Sequence, residues 1–160
     1  MKQWVVYTDG ATSNNGKKNA SGGIGIFFDD DNPDNLGLRL NLKPITNNIC
    51  ELEACRQAII IITSQKEFDL NDTITIGTDS KYVINSISLW CSNWEKNNWK
   101  NTKNEIIKNL NIIKNLRKLY LKYNIIFKYI KAHQKEPEKD DLENYRDWYG
   151  NFMADKLSRV

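Results

Sequence analysis

Four acidic residues at separate points of the 160-residue chain have the types and positions to bind divalent cations together. Asp9 and Asp79 each end a short β-prone run. Glu51 lies in the first turn of a helical pattern, and Asp155 lies on the last helix. Carboxylates without paired His or Cys ligands favour Mg²⁺ or Mn²⁺ over zinc. Two such ions, roughly 3.5–4 Å apart, are suited to phosphoryl transfer, because they activate water and stabilise a leaving oxygen. His133, the only histidine, is a candidate proton carrier.

Each of these acids alone also has a simpler structural role. Asp9-Gly10 is typical of a turn, and Asp79 could cap the helix that follows it. Asn48 and Glu51 resemble a loose capping box, while Asp155 could be an exposed helical charge. The combination favours a metal centre, because sites form beyond the carboxyl ends of neighbouring strands and converging carboxylates repel one another unless cations join them.

The hydrophobic pattern predicts the elements that must position these acids. Five β-prone or alternating runs cover residues 4–8, 22–28, 36–42, 73–78 and 125–130. Helical spacing covers about residues 46–66, 81–89, 104–123 and 149–158, and the stripe over 104–123 is the clearest. Three strands followed by alternating helix and strand predict an α/β fold: a mixed five-stranded sheet, three strands antiparallel and then two parallel, flanked by helices.

Composition excludes several other classes of protein. The net charge of +3 is too small to indicate nucleic-acid binding by itself, although residues 96–128 are rich in Lys and Arg and residues 136–147 are mostly acidic. The three cysteines lack CxxC spacing, so neither a zinc site nor a disulfide framework is indicated. Without a signal-like or transmembrane run, we expect an intracellular protein, cytoplasmic or nuclear, with no membrane contact. The length predicts one domain over residues 1–160, and we expect a monomer.

Five short motifs in this order and spacing resemble the type 1 ribonuclease H family. They span essentially the whole chain: Tyr7-Thr8-Asp9-Gly10, Gly22-Gly23-Ile24-Gly25, Thr46-Asn47-Asn48 with Glu51 and Ala54, Thr78-Asp79-Ser80, and Gly150-Asn151 with Ala154-Asp155-Lys156-Leu157. No single motif is specific, but their combination is. The resemblance implies a ribonuclease H-like fold and hydrolysis of the RNA strand of RNA–DNA hybrids, giving 5′-phosphate and 3′-hydroxyl ends.

The resemblance also implies the roles of individual residues. The two Mg²⁺ ions, with Mn²⁺ as a substitute, would be bound by Asp9, Glu51, Asp79 and Asp155. His133 would be the catalytic histidine of a loop after the last strand.

Substrate contacts carry over by position as well. Asn15, Asn47 and Asn48 look like minor-groove contacts that sense ribose hydroxyls, which distinguish RNA from DNA. Thr12 and Thr102 fall near matching contacts.

The segment around Trp90, Trp94, Lys96, Trp99 and Lys100 resembles the basic protrusion that grips the DNA strand, with Trp94 and Lys100 as the favoured contacts and core packing as the alternative for Trp90. Thr46 and Asn109 match the DNA-phosphate pocket of the family. The usual Arg of that pocket is replaced by Pro44, and Lys43 is a candidate substitute.

Two departures from the family and two alternatives remain open. The acidic segment between His133 and Asp155 is longer than the usual loop, and we expect it to point outward or to form its own small turn or helix. We expect the catalytic domain alone, without the hybrid-binding domain of some relatives, and therefore limited processivity. The alternatives are a DNA-directed nuclease of related fold, such as a junction resolvase, and a module that binds hybrids without cutting them.

Overall fold

The computed structural model describes residues 1–160 and is built on one mixed sheet of five strands. The strand order is β3-β2-β1-β4-β5, in which β1, β2 and β3 are antiparallel neighbours and β4 and β5 are added in parallel. The predicted architecture is thus confirmed. The strands are β1 Gln3–Ser13, β2 Ser21–Phe27, β3 Leu36–Leu40, β4 Thr73–Thr78 and β5 Asn124–Tyr129.

Five α-helices pack on this sheet or extend from it. A π-helical turn, Ser86–Trp90, joins two of them into one continuous helical arm. None of the helices is both long and apolar enough to cross a membrane. The helices are α1 Asn47–Thr63, α2 Lys81–Asn85, α3 Cys91–Lys96, α4 Leu110–Lys122 and α5 Leu142–Ser158.

The two faces of the sheet are packed very differently. Alternate residues of a strand point to opposite faces, so Val6 joins the cluster beneath α1 and Tyr7 joins the cluster beneath α5. The first cluster contains 20 buried residues and the second only four. Burial of apolar surface therefore fixes α1 firmly, while α5 depends more on other contacts.

Three boundaries differ from the sequence prediction. Strand β1 continues past Asp9 to Ser13, because its hairpin with β2 keeps pairing as far as Ser13 and Ser21. Helix α4 begins at Leu110 rather than Asn104, since Asn104 and Asn109 have left-handed backbone conformations that interrupt a helix. Residues 104–109 instead form a loop.

Helix α5 begins at Leu142, about two turns before the predicted start, so the long segment after His133 is largely helical. Buried Asp147 holds this extension to the sheet: it accepts a hydrogen bond from the Tyr7 hydroxyl at 2.7 Å and pairs with Lys128 of β5. These partners are distant in the sequence, which is why local spacing did not predict the extra turns.

Gly25 allows α5 to lie directly on β2. A Cβ at this position would be 1.9 Å from the carbonyl oxygen of Ala154 and 2.7 Å from the backbone nitrogen of Ser158. Both are backbone atoms, so neither can turn aside.

We expect Gly25→Ala to lower the free energy of unfolding by more than about 3 kcal/mol, the upper end of the usual effect of overpacking, because the helix must leave the strand. Urea denaturation measures this change. Gly16→Asn is the control: Gly16 has φ +76° and nothing within 4 Å, and Asn tolerates that conformation. A loss below about 1 kcal/mol at Gly25 would contradict the close approach.

Candidate metal centre and nucleic-acid interface

Three carboxylates from three different elements meet at one edge of the sheet. Oxygen atoms of Asp9, Glu51 and Asp79 lie within 4.8 Å of one another. The parallel pairing of β1 with β4 explains the positions of Asp9 and Asp79, since its last pair is Tyr7 with Gly77 and each acid lies two residues further on. Asp9 is therefore placed by the register of two strands rather than by the end of its own.

Glu51 reaches this edge because α1 passes very close to β1. A Cβ on Gly10 would be 2.6 Å from the backbone nitrogen of Glu51, so only glycine fits there. The backbone N–H of Gly10 donates to the Glu51 carboxylate. Thr46 caps α1 by accepting from the N–H of Ile49, which places Glu51 beyond the first turn and leaves its carboxylate free of a capping role.

Asp79 is likewise free of the structural role that its position suggested. Ser80 is the N-cap of α2, and its hydroxyl accepts from the N–H of Val83 at 3.1 Å. Asn151, a buried residue of α5, lines the same cavity as Asp79 and acts to lower the pKa of the Asp79 carboxyl group. The alternative prediction that Asp79 caps a helix and that Glu51 belongs to a capping box is therefore wrong.

Asp155 approaches the cluster from α5. Its carboxyl group is close enough to that of Asp9 to raise the pKa of Asp9, and Arg159, at the end of the helix, pairs with Asp155 at 3.2 Å. Asp155 thus lies beside the group of three but carries its own counter-charge. Any cation that binds Asp155 must compete with this ion pair.

Burial and mutual repulsion raise the pKa values of the cluster. Burial raises the pKa of Asp9 to about 8, and the charge of Asp79 adds to the effect. Burial also raises the pKa of Glu51 well above its usual range, with contributions from Asp9 and Asp79. The pKa of Asp79 is raised by burial, against the hydrogen bonds from Glu51 and Asn151. Carboxyl groups that are buried beside other negative charges either retain protons or bind cations.

The donor set fits a divalent cation that prefers oxygen. The cluster offers only carboxylates, and one oxygen of Glu51, Oε1, is buried without a hydrogen-bond partner. A buried unpaired carboxylate oxygen is costly unless a ligand satisfies it. Mg²⁺ and Mn²⁺ match this chemistry, and no nitrogen or sulfur ligand joins the cluster to favour zinc.

His133 lies across a small cavity from the carboxylates. The cavity has a volume of about 270 Å³, and its lining includes Asp79, His133, Trp148 and Asp155. His133 is exposed and has a left-handed backbone, φ 56°, in the turn that follows β5. Its side chain is therefore near the cluster without being one of the residues that could bind the same ion.

Three of the expected RNA contacts lie together next to this site. The Thr12 hydroxyl donates to the Asn47 side-chain oxygen, and the Asn15 side-chain oxygen accepts from the Asn47 backbone N–H at 2.8 Å. Asn48 is the next residue of α1 and is exposed. The structure thus joins the β1–β2 turn to the start of α1 through polar groups on the surface.

The residues expected to contact DNA lie along the helical arm and the loop after it. Trp94 and Trp99 are partly buried against the main core, whereas Trp90 is 38% exposed and packs on Tyr82 and Trp94. Core packing therefore describes Trp94 and Trp99 better than Trp90, which is the most exposed of the three. Lys100 pairs with Ile106 in an isolated β-bridge, and Thr102 is exposed in the same loop.

The groove beside Asn109 contains a positively charged side chain, Arg56, that the sequence analysis did not identify. Lys43, Arg56 and Asn109 line this groove. Thr46 is not among the residues that line it, and its hydroxyl caps α1. Arg56 forms a bidentate pair with Glu53, which lies in the same groove and lowers the charge available to an anion.

Residues 142–151 of α5 contain other functional candidates that the sequence did not reveal. Asn151 belongs to a sequence motif but has no role assigned by it, and Trp148 belongs to no motif, although both line the cavity next to the carboxylates. Asn151 lies within the predicted helix, whereas Trp148 depends on the extension of α5. The helical spacing of Leu142, Tyr145 and Tyr149 is a local signal of this extension, but it is too short to predict the extension by itself.

Together, the fold and site define a class: an α/β domain with a candidate metal centre of carboxylates, placed where the parallel pairing of β1 with β4 ends. The family model described as RNase H matches residues 1–160. A ribonuclease H of Clostridium botulinum is 33% identical over 161 residues, covering 99% of both chains. A ribonuclease H of Schizosaccharomyces pombe is 37% identical over 155 residues, covering 97% of this chain but 51% of that protein, so the chain spans about half of that relative. The chain belongs to the RNase H family.

Solved structures agree on the fold. The RNase H domain of prototype foamy virus has a TM-score of 0.69 at 24% identity, covering 96% of this chain and 90% of that one. RNase H1 of Halobacterium salinarum has a TM-score of 0.59 at 17% identity, covering 98% and 94%. At these identities the likeness concerns the fold alone.

We expect Asp9→Asn to stabilise the metal-free protein at pH 8. Because the pKa of Asp9 is raised from its usual value to about 8, the folded state binds more protons than the unfolded state between about pH 4 and pH 8, and stability falls as pH rises through that range. Removing the charge should raise the free energy of unfolding by about 1–2 kcal/mol, or the midpoint of thermal unfolding by about 2–8 °C. Unfolding with EDTA present measures it. Glu67→Gln, at an exposed acid after α1, is the control, and a midpoint lowered by Asp9→Asn would contradict the repulsion.

We also expect Mg²⁺ to bind more tightly as pH rises from about 6 to about 8.5, since the cation must displace protons from carboxyl groups with raised pKa values. Calorimetry in two buffers of different ionisation enthalpy counts the protons released. Asp9→Asn should reduce both the affinity and this count, and Glu67→Gln should change neither. Affinity that does not vary with pH would show that the cation binds elsewhere.

Proposed function

We propose that this chain is a metal-dependent endonuclease that hydrolyses the RNA strand of RNA–DNA hybrids and leaves 5′-phosphate and 3′-hydroxyl ends. The observation that carries the proposal is the convergence of Asp9, Glu51 and Asp79 within 4.8 Å in a chain of the RNase H family. Curated relatives bear the name ribonuclease H. One solved neighbour, LC11-RNase H1, with a TM-score of 0.55, was determined in complex with an RNA/DNA hybrid.

The four acids and His133 have different roles at the scissile phosphate: the acids bind the cations, and His133 exchanges a proton. Two Mg²⁺ ions, or Mn²⁺ in their place, would supply activation of water and stabilisation of the leaving oxygen when bound. Asp9, Glu51 and Asp79 form the fixed part of their binding site, and Asp155 completes it once its ion pair with Arg159 opens. His133 exchanges the proton at the 3′-oxygen of the leaving ribose, a role open to an imidazole near neutral pH.

Selectivity for a hybrid follows from contacts on both strands. Thr12, Asn15, Asn47 and Asn48 form a polar surface at the start of α1, one turn before Glu51, and offer hydroxyl and amide groups to ribose 2′-hydroxyls, which only the RNA strand carries.

The DNA strand lies against Trp94, Lys100 and Thr102 of the basic protrusion, where aromatic surface accompanies cationic charge. Asn109 contacts DNA phosphate in its groove, with Lys43 and Arg56 in place of the missing arginine. Such contacts read backbone and shape, so little sequence specificity is expected.

The chain acts as a monomer inside the cell, and size-exclusion chromatography tests its oligomeric state.

A single cleavage assay tests the proposal. The protein is incubated with an end-labelled RNA–DNA hybrid, matched RNA and DNA duplexes, single-stranded RNA and a four-way DNA junction, each with Mg²⁺, Mn²⁺ or EDTA. We expect cutting of the RNA strand of the hybrid alone, and only with a cation. Cutting of the junction would favour a DNA-directed nuclease instead, and hybrid binding without cutting would favour a binding module.

Asp79→Asn separates catalysis from binding. The amide keeps the shape of the side chain but removes a charge that the cations need, so we expect kcat to fall at least about 1,000-fold, as for loss of a principal electrostatic group. Hybrid affinity, measured by fluorescence anisotropy, should change less than about threefold. Glu67→Gln should retain full activity, because this exposed acid is remote from the site. Activity retained in Asp79→Asn would refute the metal centre.

A further inference from the structure

The turn that carries His133 is attached to α5 by a hydrogen bond. The indole Nε1–H of Trp148 donates to the carbonyl oxygen of Gln134 at 3.1 Å. The side-chain amide of Gln134 in turn donates to the carbonyl oxygen of Lys131 at 2.8 Å, which closes the turn around His133. These two bonds bracket the histidine on both sides.

Trp148 is itself held in place by its neighbours on α5. Its ring is stacked on Phe152 with centroids 5.6 Å apart, and it packs at an angle against Tyr145 at the same distance. The residue before it, Asp147, is buried and bonded to the Tyr7 hydroxyl and to Lys128. The indole N–H is therefore presented from a rigid point of the helix.

The turn has few other attachments. Residues 131–136 lie outside regular structure, and His133 is exposed with a left-handed backbone. A segment of this kind is mobile unless something fixes it, and the entropy lost on ordering it reduces catalysis when ordering must accompany the reaction.

We propose that Trp148 is a positioning residue, which holds the His133 turn over the cavity beside Asp79 and Asp155 before substrate binds. This inference rests on the proposed function for its catalytic consequence but not for the contact itself. The longer segment between His133 and Asp155 then has a structural role, because its added helical residues place Trp148 next to the loop that contains His133.

Trp148→Phe tests the contact, since it keeps an aromatic ring against Phe152 and removes only the N–H. A hydrogen bond of ordinary strength changes the population of a held state by roughly 3–10-fold. We expect kcat on the hybrid to fall by that factor while KM stays within about twofold, because the turn acts on the reacting atoms and not on duplex affinity. Tyr145→Phe is the matched control, an aromatic change one turn earlier on the same helix.

A double-mutant cycle with His133→Ala shows whether Trp148 acts through the histidine. In that background Trp148→Phe should have no further effect on kcat, because there is no imidazole left to position. An equal fall in both backgrounds would overturn the proposal, as would an unchanged kcat in Trp148→Phe alone.

Limited proteolysis tests the attachment without any cleavage of nucleic acid. Trypsin can cut after Lys131, Lys135 and Lys139, all exposed in the segment that Trp148 restrains. We expect cutting in this segment to be roughly 3–10-fold faster in Trp148→Phe than in the native chain or Tyr145→Phe, at equal global stability. Equal rates would overturn the proposal. Faster proteolysis in a protein that cuts no hybrid would instead retain the attachment and refute the proposed function.

Discussion

Repulsion among buried carboxylates is the constraint on which the rest of this structure depends. Asp9, Glu51 and Asp79 are held within 4.8 Å in a largely closed environment, although a charge on any one of them disfavours charges on the other two. Local partners offset only part of this repulsion, because the pKa values of all three remain raised, so the stability must come from elsewhere in the fold. The main core of 20 buried residues lies on the side of the sheet that supports α1, and it supplies that stability.

The other wall of the site is built by different means. The buried apolar cluster beneath α5 has only four residues, one of them Ala154 of α5 itself, and the attachment of the helix relies on close backbone contact at Gly25 and on the bonds of Asp147. Hydrogen bonds are directional, so this wall is fixed in position with little apolar burial. The site thus combines a rigid part on the sheet and α1 with a part on α5 that bears the counter-charged Asp155.

The sequence predicted what depends on local pattern and missed what depends on distant partners. The β-branched run of β4 was predicted to the residue, since alternation and composition are local properties. The caps of α1 and α2 were not assigned correctly, because several adjacent polar residues qualify and only the backbone decides among them. The early start of α5 required Tyr7 and Lys128, which lie far from Asp147 in the chain.

The same distinction explains why the acids were easier to identify than the residues that support them. Asp9 and Asp79 were found from their positions after β-prone runs, and the parallel register then brings them together whether or not β1 ends there. Asn151 and Trp148 act on the site only through the three-dimensional course of α5, so the motif that contains Asn151 does not indicate its role and no motif contains Trp148. In this fold the sequence predicts the charged groups of the site, whereas the neutral groups that orient them are identified only from the packing of α5 on the sheet.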